Sequence, residues 1–356
     1  MPCDRLNSTH IYVVHPVSCT EVTCEGRQSI VIRLSLPARD LVGATKQPEC
    51  GNSHAAGASM NKTATNEIRP WEQPFWKPAR GKAPVFLYLL LIHILAVVGL
   101  ILFPFPGMRI LGLALLFTAL GGLGTTICYH RMLSHRTLRM NKAIEHPLIF
   151  WAMFNGSGAP ASWVAYHRLH HARTDTPEDV SSPKQGGFWW AHLRWLYQSS
   201  PADEKTWCPE LTRREYRIWT FAETPVILLS LSCGLALGWQ GFFWLGAIRL
   251  VYSLHMQCFV NSITHMGPAE AGDSSKNVWW LGPLQLTAWG ENWHRNHHSN
   301  AGSARIGLRW WQTDIGWYVI CALEAARLAS RVKRPKSRLP NPSSLGEYRH
   351  GTPGYQ

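Results

Sequence analysis

Residues 85–128 and 218–260 run almost without charge, in segments long enough to cross a bilayer, and nothing else in the chain restricts its fold so strongly. A helix needs about 20 apolar residues to span the hydrocarbon layer, where every backbone polar group must be satisfied internally. The pattern predicts four spans, at about 85–103, 110–128, 218–237 and 242–260. The turns between them, Pro104 to Gly107 with the nearby Arg109 and Gly238 to Gly241, are so short that the spans pair as two hairpins. Glu223, Pro225 and Arg249 interrupt the second pair. A charge at such a depth is expected to face the protein interior or a polar cavity.

Basic residues orient these hairpins. Lys77, Arg80 and Lys82 precede the first, Arg131, Arg136, Arg139 and Lys142 follow it, and Arg213, Arg214 and Arg217 precede the second. By the bias of Lys and Arg toward the cytoplasm, both termini and the segment 129–217 are expected on that side. Trp71, Phe75 and Trp76 among basic residues read as an interfacial lead-in. The predicted fold is therefore an all-α integral membrane protein, four transmembrane helices as two hairpins with a cytoplasmic helical cap.

Residues 1–59 have no sustained period and no continuous apolar core of the signal-peptide kind. Met60-Asn61-Lys62-Thr63 reads as a start of translation, so the preceding extension is expected to be an over-extended gene model, with a targeting or regulatory segment as the alternative. The membrane domain is expected over 60–325, followed by a basic tail, 326–356. The net charge of +13 flanks apolar spans instead of forming one dense run, which favours anionic lipid or an acidic protein over nucleic acid. Nine cysteines without a CxxC pair indicate neither a disulfide framework nor a zinc site.

Eight of the 17 histidines fall in three clusters, boxes one to three in chain order: His130 and His135 in HRMLSH, His167, His170 and His171 in HRLHH, and His294, His297 and His298 in HRNHH. All lie on the cytoplasmic side of the topology drawn from hydropathy alone. On a helix, HxxHH projects three imidazoles from one face. The i, i+5 spacing of His130 and His135 diverges on a regular helix, so this pair either serves two adjacent ions or brackets a site at a helix end; we read it as serving two ions. Neutral imidazole suits iron, zinc, copper or nickel. Eight ligands exceed one ion, and no cysteine joins them, so the cap is expected to hold a di-metal site of redox metals.

The segments HRMLSHRT at 130–137, WVAYHRLHHARTDTPED at 163–179, GFWWAHLRWL at 187–196, NSITH at 261–265 and GENWHRNHHSNAGSARIGLRWWQTD at 290–314 together resemble the membrane fatty acyl desaturases of the delta-9 type. The likeness implies a ninth ligand, His265, and a metal-bound water on Asn261. It implies two Fe ions that use O2 and two external electrons to place a cis double bond in a saturated acyl chain. It implies as partners an acyl-CoA, acyl-lipid or acyl-carrier substrate, membrane lipid, and an electron donor such as cytochrome b5, ferredoxin or rubredoxin with its reductase. It places the enzyme in a bacterial inner membrane or the endoplasmic reticulum, with the active site on the cytoplasmic face. A related hydroxylase or ketolase and a membrane metal-binding protein are the competing readings.

Trp163, Trp189 and Trp190 are candidates for the wall of a substrate tunnel, the latter two equally for interfacial anchors. Gln257 and Cys258 stand where the family has a tunnel-shaping Thr-Trp pair. Asp175, Glu178, Asp179, Glu291 and Asp314 are expected to accept N–H bonds from the ligand histidines. Arg168 and Arg295 are expected to pair with acidic head groups or orient ligands.

Overall fold

Helix α1, Ala83–Leu102, begins just after Gly81, whose φ of +79° only glycine adopts readily, and stops before Pro104, which disfavours helical geometry in the residue ahead of it. The computed structural model describes residues 69–269, 272–284 and 289–335. The expectation for residues 1–59 lies outside them, as does most of the basic tail. Many large side chains of α1, among them Leu87, Leu91, Ile94, Val97 and Ile101, are exposed, which suits a lipid-facing helix. The turn 103–107 ends at Gly107, with φ +77°, and returns the chain into α2, Met108–Ser134.

Among the described residues, three helical runs are long and apolar enough to cross a membrane: Ala83–Leu102, Met108–Ser134 and Arg214–Ser262. The last is not straight. It contains α6, Arg214–Ser232, and α7, Arg249–Ser262, with tight turns and the positive-φ Gly238 between them. The halves lie against each other. A Cβ on Gly246 would strike the Leu231 carbonyl, and one on Gly234 would strike that of Gly241.

Box one differs from a regular helix. The last part of α2, Gly124–Ser134, is wound with wide π-type turns, which continue through the His135 N–H to the His130 carbonyl at 3.2 Å. The sequence-derived span ended at 128; the helix carries on because this end is buried against α3, Lys142–Phe154, and α4, Pro160–Arg173. Ile127, Ile149, Met153 and Val164 form the core among these three helices. Asn141 caps α3 by accepting from the Ala143 N–H at 2.9 Å.

Helix α5, Pro183–Trp189, continues through looser turns to Gln198. It straps down the lead-in segment: Arg194 donates to the carbonyls of Trp71 and Gln73, Gln198 to those of Pro74 and Lys77. Three histidines outside the boxes join α1, α7 and the continuation of α5. His93 Nε2 lies 3.1 Å from His255 Nε2, and His255 Nδ1 lies 2.8 Å from His192 Nε2, whose Nδ1 meets Ser262.

Further along are α8, His294–Ser299, and α9, Ile315–Ala325. Residues after 325 also pack on this part of the chain. Ala329–Ser330 pairs antiparallel with Arg139–Met140, and Lys333 exchanges backbone hydrogen bonds with Thr137 and Ala304. Composition hides this, because a strand of two residues leaves no periodic signal.

Candidate metal centre and substrate cavity

Nine histidines converge in two groups. One contains His130, His135, His167, His171 and His297, the other His170, His265, His294 and His298, and within each group one nitrogen from every ring lies within 4.8 Å of the others. Each HxxHH segment feeds both groups: α4 sends His167 and His171 to the first and His170 to the second, while α8 sends His297 to the first and His294 and His298 to the second. His130 and His135 share the first group instead of serving two ions. The π-type winding brings residues five apart into register, where a regular helix would splay them.

The facing atoms are Nε2 throughout. In the first group the separations are 3.0 Å for His130–His297 and 2.8 Å for both His135–His167 and His171–His297. In the second they are 2.9 Å for His265–His294, 3.1 Å for His294–His298 and 3.3 Å for His170–His298. Nitrogens bound to one ion at about 2.1 Å would stand about 3.0 to 3.4 Å apart, for right-angled to tetrahedral arrangements.

The outward nitrogens explain why this spacing suits a cation. His130 Nδ1 meets Glu291 at 2.8 Å, His170 Nδ1 meets Asp179 at 2.8 Å and His298 Nδ1 meets Asp273 at 3.1 Å. His265 Nδ1 is 3.7 Å from Asp175, an electrostatic contact too long for a hydrogen bond. A neutral imidazole whose single proton sits on Nδ1 toward a carboxylate presents a bare lone pair at Nε2. Lone pairs that face each other repel, and a shared cation removes the repulsion.

Burial disfavours charge on four of these rings. It is the largest cause, ahead of their mutual repulsion as cations, that pushes His167, His171, His294 and His297 well below the usual histidine range. Burial also disfavours charge on His170, but Asp179 outweighs it through charge and hydrogen bond and raises that group. Asp175 is held below the usual carboxylate range, against the opposing effect of its burial, by the nearby His265 ring and by hydrogen bonds from Ser182 and Ser274.

Two expected carboxylates are placed elsewhere. Glu178 is exposed and touches no box histidine. Asp314 accepts from Arg131, Oδ1 from Nη2 at 2.8 Å and Oδ2 from Nη1 at 3.2 Å, and takes the backbone N–H groups of Ile306 and Gly307. It braces the loop behind box three through the buried box-one arginine. Arg168 donates to the carbonyls of Leu133, Ser134 and Trp207 and to Glu210 at 2.6 Å, tying box two to the end of box one. Arg295 donates to the Ser275 carbonyl at 3.4 Å. Asp273 was not foreseen, because an aspartate in a glycine- and serine-rich loop has no spacing that marks it.

A cavity of about 380 Å³ reaches the histidines and is lined by His130, His167, His170 and His294 on that side. Trp163, Gln257, Cys258 and Asn261 all line it. Trp163 stacks on His167 with ring centroids 5.0 Å apart. Gln257 Oε1 accepts from the Ser157 hydroxyl at 3.0 Å, which also contacts Thr125. Asn261 donates both amide hydrogens, to the carbonyls of Ser181 at 2.8 Å and Ala191 at 2.9 Å, which orients Oδ1 as its remaining acceptor. Trp189 and Trp190 do not line the cavity. Trp190 is fully buried with its indole N–H on the Val180 carbonyl, and Trp189 is 66% exposed.

The profile of the fatty acid desaturase family matches residues 106–320. The chain is 36% identical to delta-9 acyl-lipid desaturase 1 of Arabidopsis thaliana, over 80% of this chain and 93% of that protein. The chain belongs to the fatty acid desaturase family. It is 33% identical to the sn-1 stearoyl-lipid 9-desaturase of a Synechocystis strain, over 78% of this chain and 86% of that protein. A chloroplastic palmitoyl-monogalactosyldiacylglycerol delta-7 desaturase of Arabidopsis thaliana is 34% identical, over 74% and 71%. These relatives place the desaturase with the delta-9 type, as the histidine motifs suggested, and make it an oxidoreductase of lipid metabolism. With three apolar runs of spanning length, it is a membrane protein.

Proposed function

We propose that this desaturase introduces a cis double bond, at the delta-9 position, into a saturated acyl chain carried on a lipid. The observation that carries this is the junction of two convergent imidazole groups with a cavity whose wall presents mainly apolar surface. The names of the relatives support a lipid-borne substrate, and the delta-7 relative shows that bond position varies among proteins of this similarity.

The donor set fits two irons, one in each histidine group, with Asn261 Oδ1 available to hold a bound water. When bound, the irons supply the O2-dependent oxidation that takes two hydrogens from adjacent methylenes. With two external electrons and two protons the reaction closes as saturated chain plus O2 giving unsaturated chain plus two waters.

The residues of the chain supply position and a dry site. Trp163, stacked on His167, forms cavity wall beside the first histidine group. The Ser157–Gln257 contact fixes another part of the wall, so the acyl chain meets the histidines at one place along its length. Asp179 and Glu291, joined by Asp273, hold the protons of three outward nitrogens and so keep Nε2 turned inward, while Asp175 acts on His265 by charge alone.

The topology proposed is four spans as two hairpins, with the histidines on the cytoplasmic face. The close approaches of Gly246 to Leu231 and of Gly234 to Gly241 support a turn within the third run. Expression in a host without its own desaturase, with the new double bond located by mass spectrometry, tests the activity. Metal analysis should return about two irons per chain. Bound iron with no new unsaturation in the presence of a working reductase would sink the reading, and a product heavier by one oxygen would favour a hydroxylase.

A further inference from the structure

A group of exposed aromatic residues outside the apolar runs lies on the loops around Trp293, the residue directly before His294. Trp293 is buried, and its ring meets that of Trp311 edge to face with centroids 5.3 Å apart. Its backbone bridges Asn277, bringing alongside it the loop that carries Trp279 and Trp280. Four tryptophans on these two loops are exposed, Trp310 at 91% and Trp279 at 70%. An apolar surface of this kind, rimmed by polar residues, marks a contact site, and tryptophan and arginine are the residues that anchor such contacts.

Cations predominate around it, the nearest carboxylate on the first loop being Asp273, which meets His298. Residues 274–284 contain Lys276 and no Asp or Glu, and residues 295–313 contain Arg295, Arg305 and Arg309 and no Asp or Glu. Arg309, next to Trp310, is itself exposed. The occupant that matches is acidic. A lipid surface would also accept tryptophan and arginine. What favours a protein that brings electrons is the connection inward, since Trp311 touches Trp293 and Trp293 is bonded to His294. Electron transfer slows steeply with distance, so two indoles in contact, leading from the surface to the histidine site, form a short route.

We propose that the face made by Trp279, Trp280, Trp310 and Trp311 with Arg309 docks an acidic one-electron carrier protein, and that electrons pass through Trp311 and Trp293 to the histidine centre. This rests on the desaturase reading. Each docked carrier is oxidised by one electron, and two encounters supply the two electrons that one turnover consumes along with O2 and two protons.

The test uses the full chain in nanodiscs, without metal and loaded with iron, with a soluble cytochrome b5 domain and a [2Fe–2S] ferredoxin as probes. Binding to the metal-free wild type should be measurable at low salt for at least one carrier and weaken as salt rises. The Arg309→Glu/Trp310→Ser double variant should bind that carrier at least about tenfold more weakly, with an unchanged thermal midpoint and iron content. Trp311→Leu should slow carrier-driven reduction of the loaded enzyme by a larger factor than it weakens binding. Affinity unchanged within twofold in the double variant, or no binding of either carrier by the wild type, overturns the proposal. Quenching of Trp310 fluorescence by brominated lipid, lost in Trp310→Ser, would make the face a membrane contact and also overturn it. A single turnover of the dithionite-reduced wild type examines the desaturase reading separately.

Discussion

Which nitrogen of a histidine is bare depends on what its other nitrogen touches. Here three carboxylates, Glu291, Asp179 and Asp273, lie within 3.1 Å of an outward Nδ1. Replacing Asp179 by Asn keeps the shape but removes the charge and lets the amide donate as well as accept, so the ring of His170 loses its fixed tautomer. Asp179→Asn is expected to weaken iron binding by about 10–100-fold, the usual effect of losing such a partner. Iron retained per chain against a graded chelator measures it. Glu178→Gln, at an exposed position, should retain iron as the wild type does; equal losses in both would refute the assignment. At the cavity wall, Gln257→Ala removes the acceptor of Ser157 and widens the tunnel. Product analysis should show the double bond spread to neighbouring positions, with total conversion reduced less than its regularity.

The histidine-bearing elements were legible because HxxHH on a helix is a local pattern, and α4 and α8 deliver it. Box one was read less well. Its i, i+5 pair makes sense only once the helix end is wound wide, and that winding is set by packing on α3 and α4, which no local window contains. The tie between boxes was also hidden, since Glu210 lies far from both in sequence yet receives Arg168 and Arg136, each at 2.6 Å. Partial burial alone would raise the Glu210 carboxyl, but these two arginines pull it from 4.5 down to about 2. A depressed carboxylate stabilises the fold fully above its unfolded value and loses that contribution as pH falls toward the folded one. Glu210→Gln should therefore lower the thermal midpoint of the detergent-solubilised protein at neutral pH, and the gap to the wild type should close as pH falls from 4.5 toward about 2. A gap independent of pH would show that packing, not charge, is what Glu210 contributes. The second tie, His93–His255–His192, was equally unreadable, because lone histidines on apolar helices carry no pattern. His255→Leu breaks both nitrogen contacts and is expected to loosen α5 from α1 and α7, seen as faster amide exchange over 190–198.

For the whole molecule, hydropathy marks where apolar helices run, but their number across the membrane depends on whether Arg214–Ser262 passes once or turns back. Two contacts bear on this. Gln240 Nε2 donates to the Phe105 carbonyl at 2.9 Å, and Trp244 Nε1 to the Phe103 carbonyl at 2.8 Å. The bend in the third run therefore sits beside the turn that joins α1 to α2. In the proposed orientation, which rests on the cations at the other ends of α1 and α2, both turns lie on the non-cytoplasmic side. The histidine cap, strapped by Arg139–Met140 to Ala329–Ser330, then remains with the cations. Single cysteines decide it: Phe105→Cys and Gln240→Cys should both react with a membrane-impermeant maleimide added outside intact cells or to inside-in vesicles, above the labelling of the parent chain. Lys205→Cys, in the exposed segment between α5 and α6, should react only after permeabilisation. Labelling of Phe105→Cys from outside with Gln240→Cys protected would mean that the two turns do not share a side, and the four-span arrangement would fall while the histidine site could still stand.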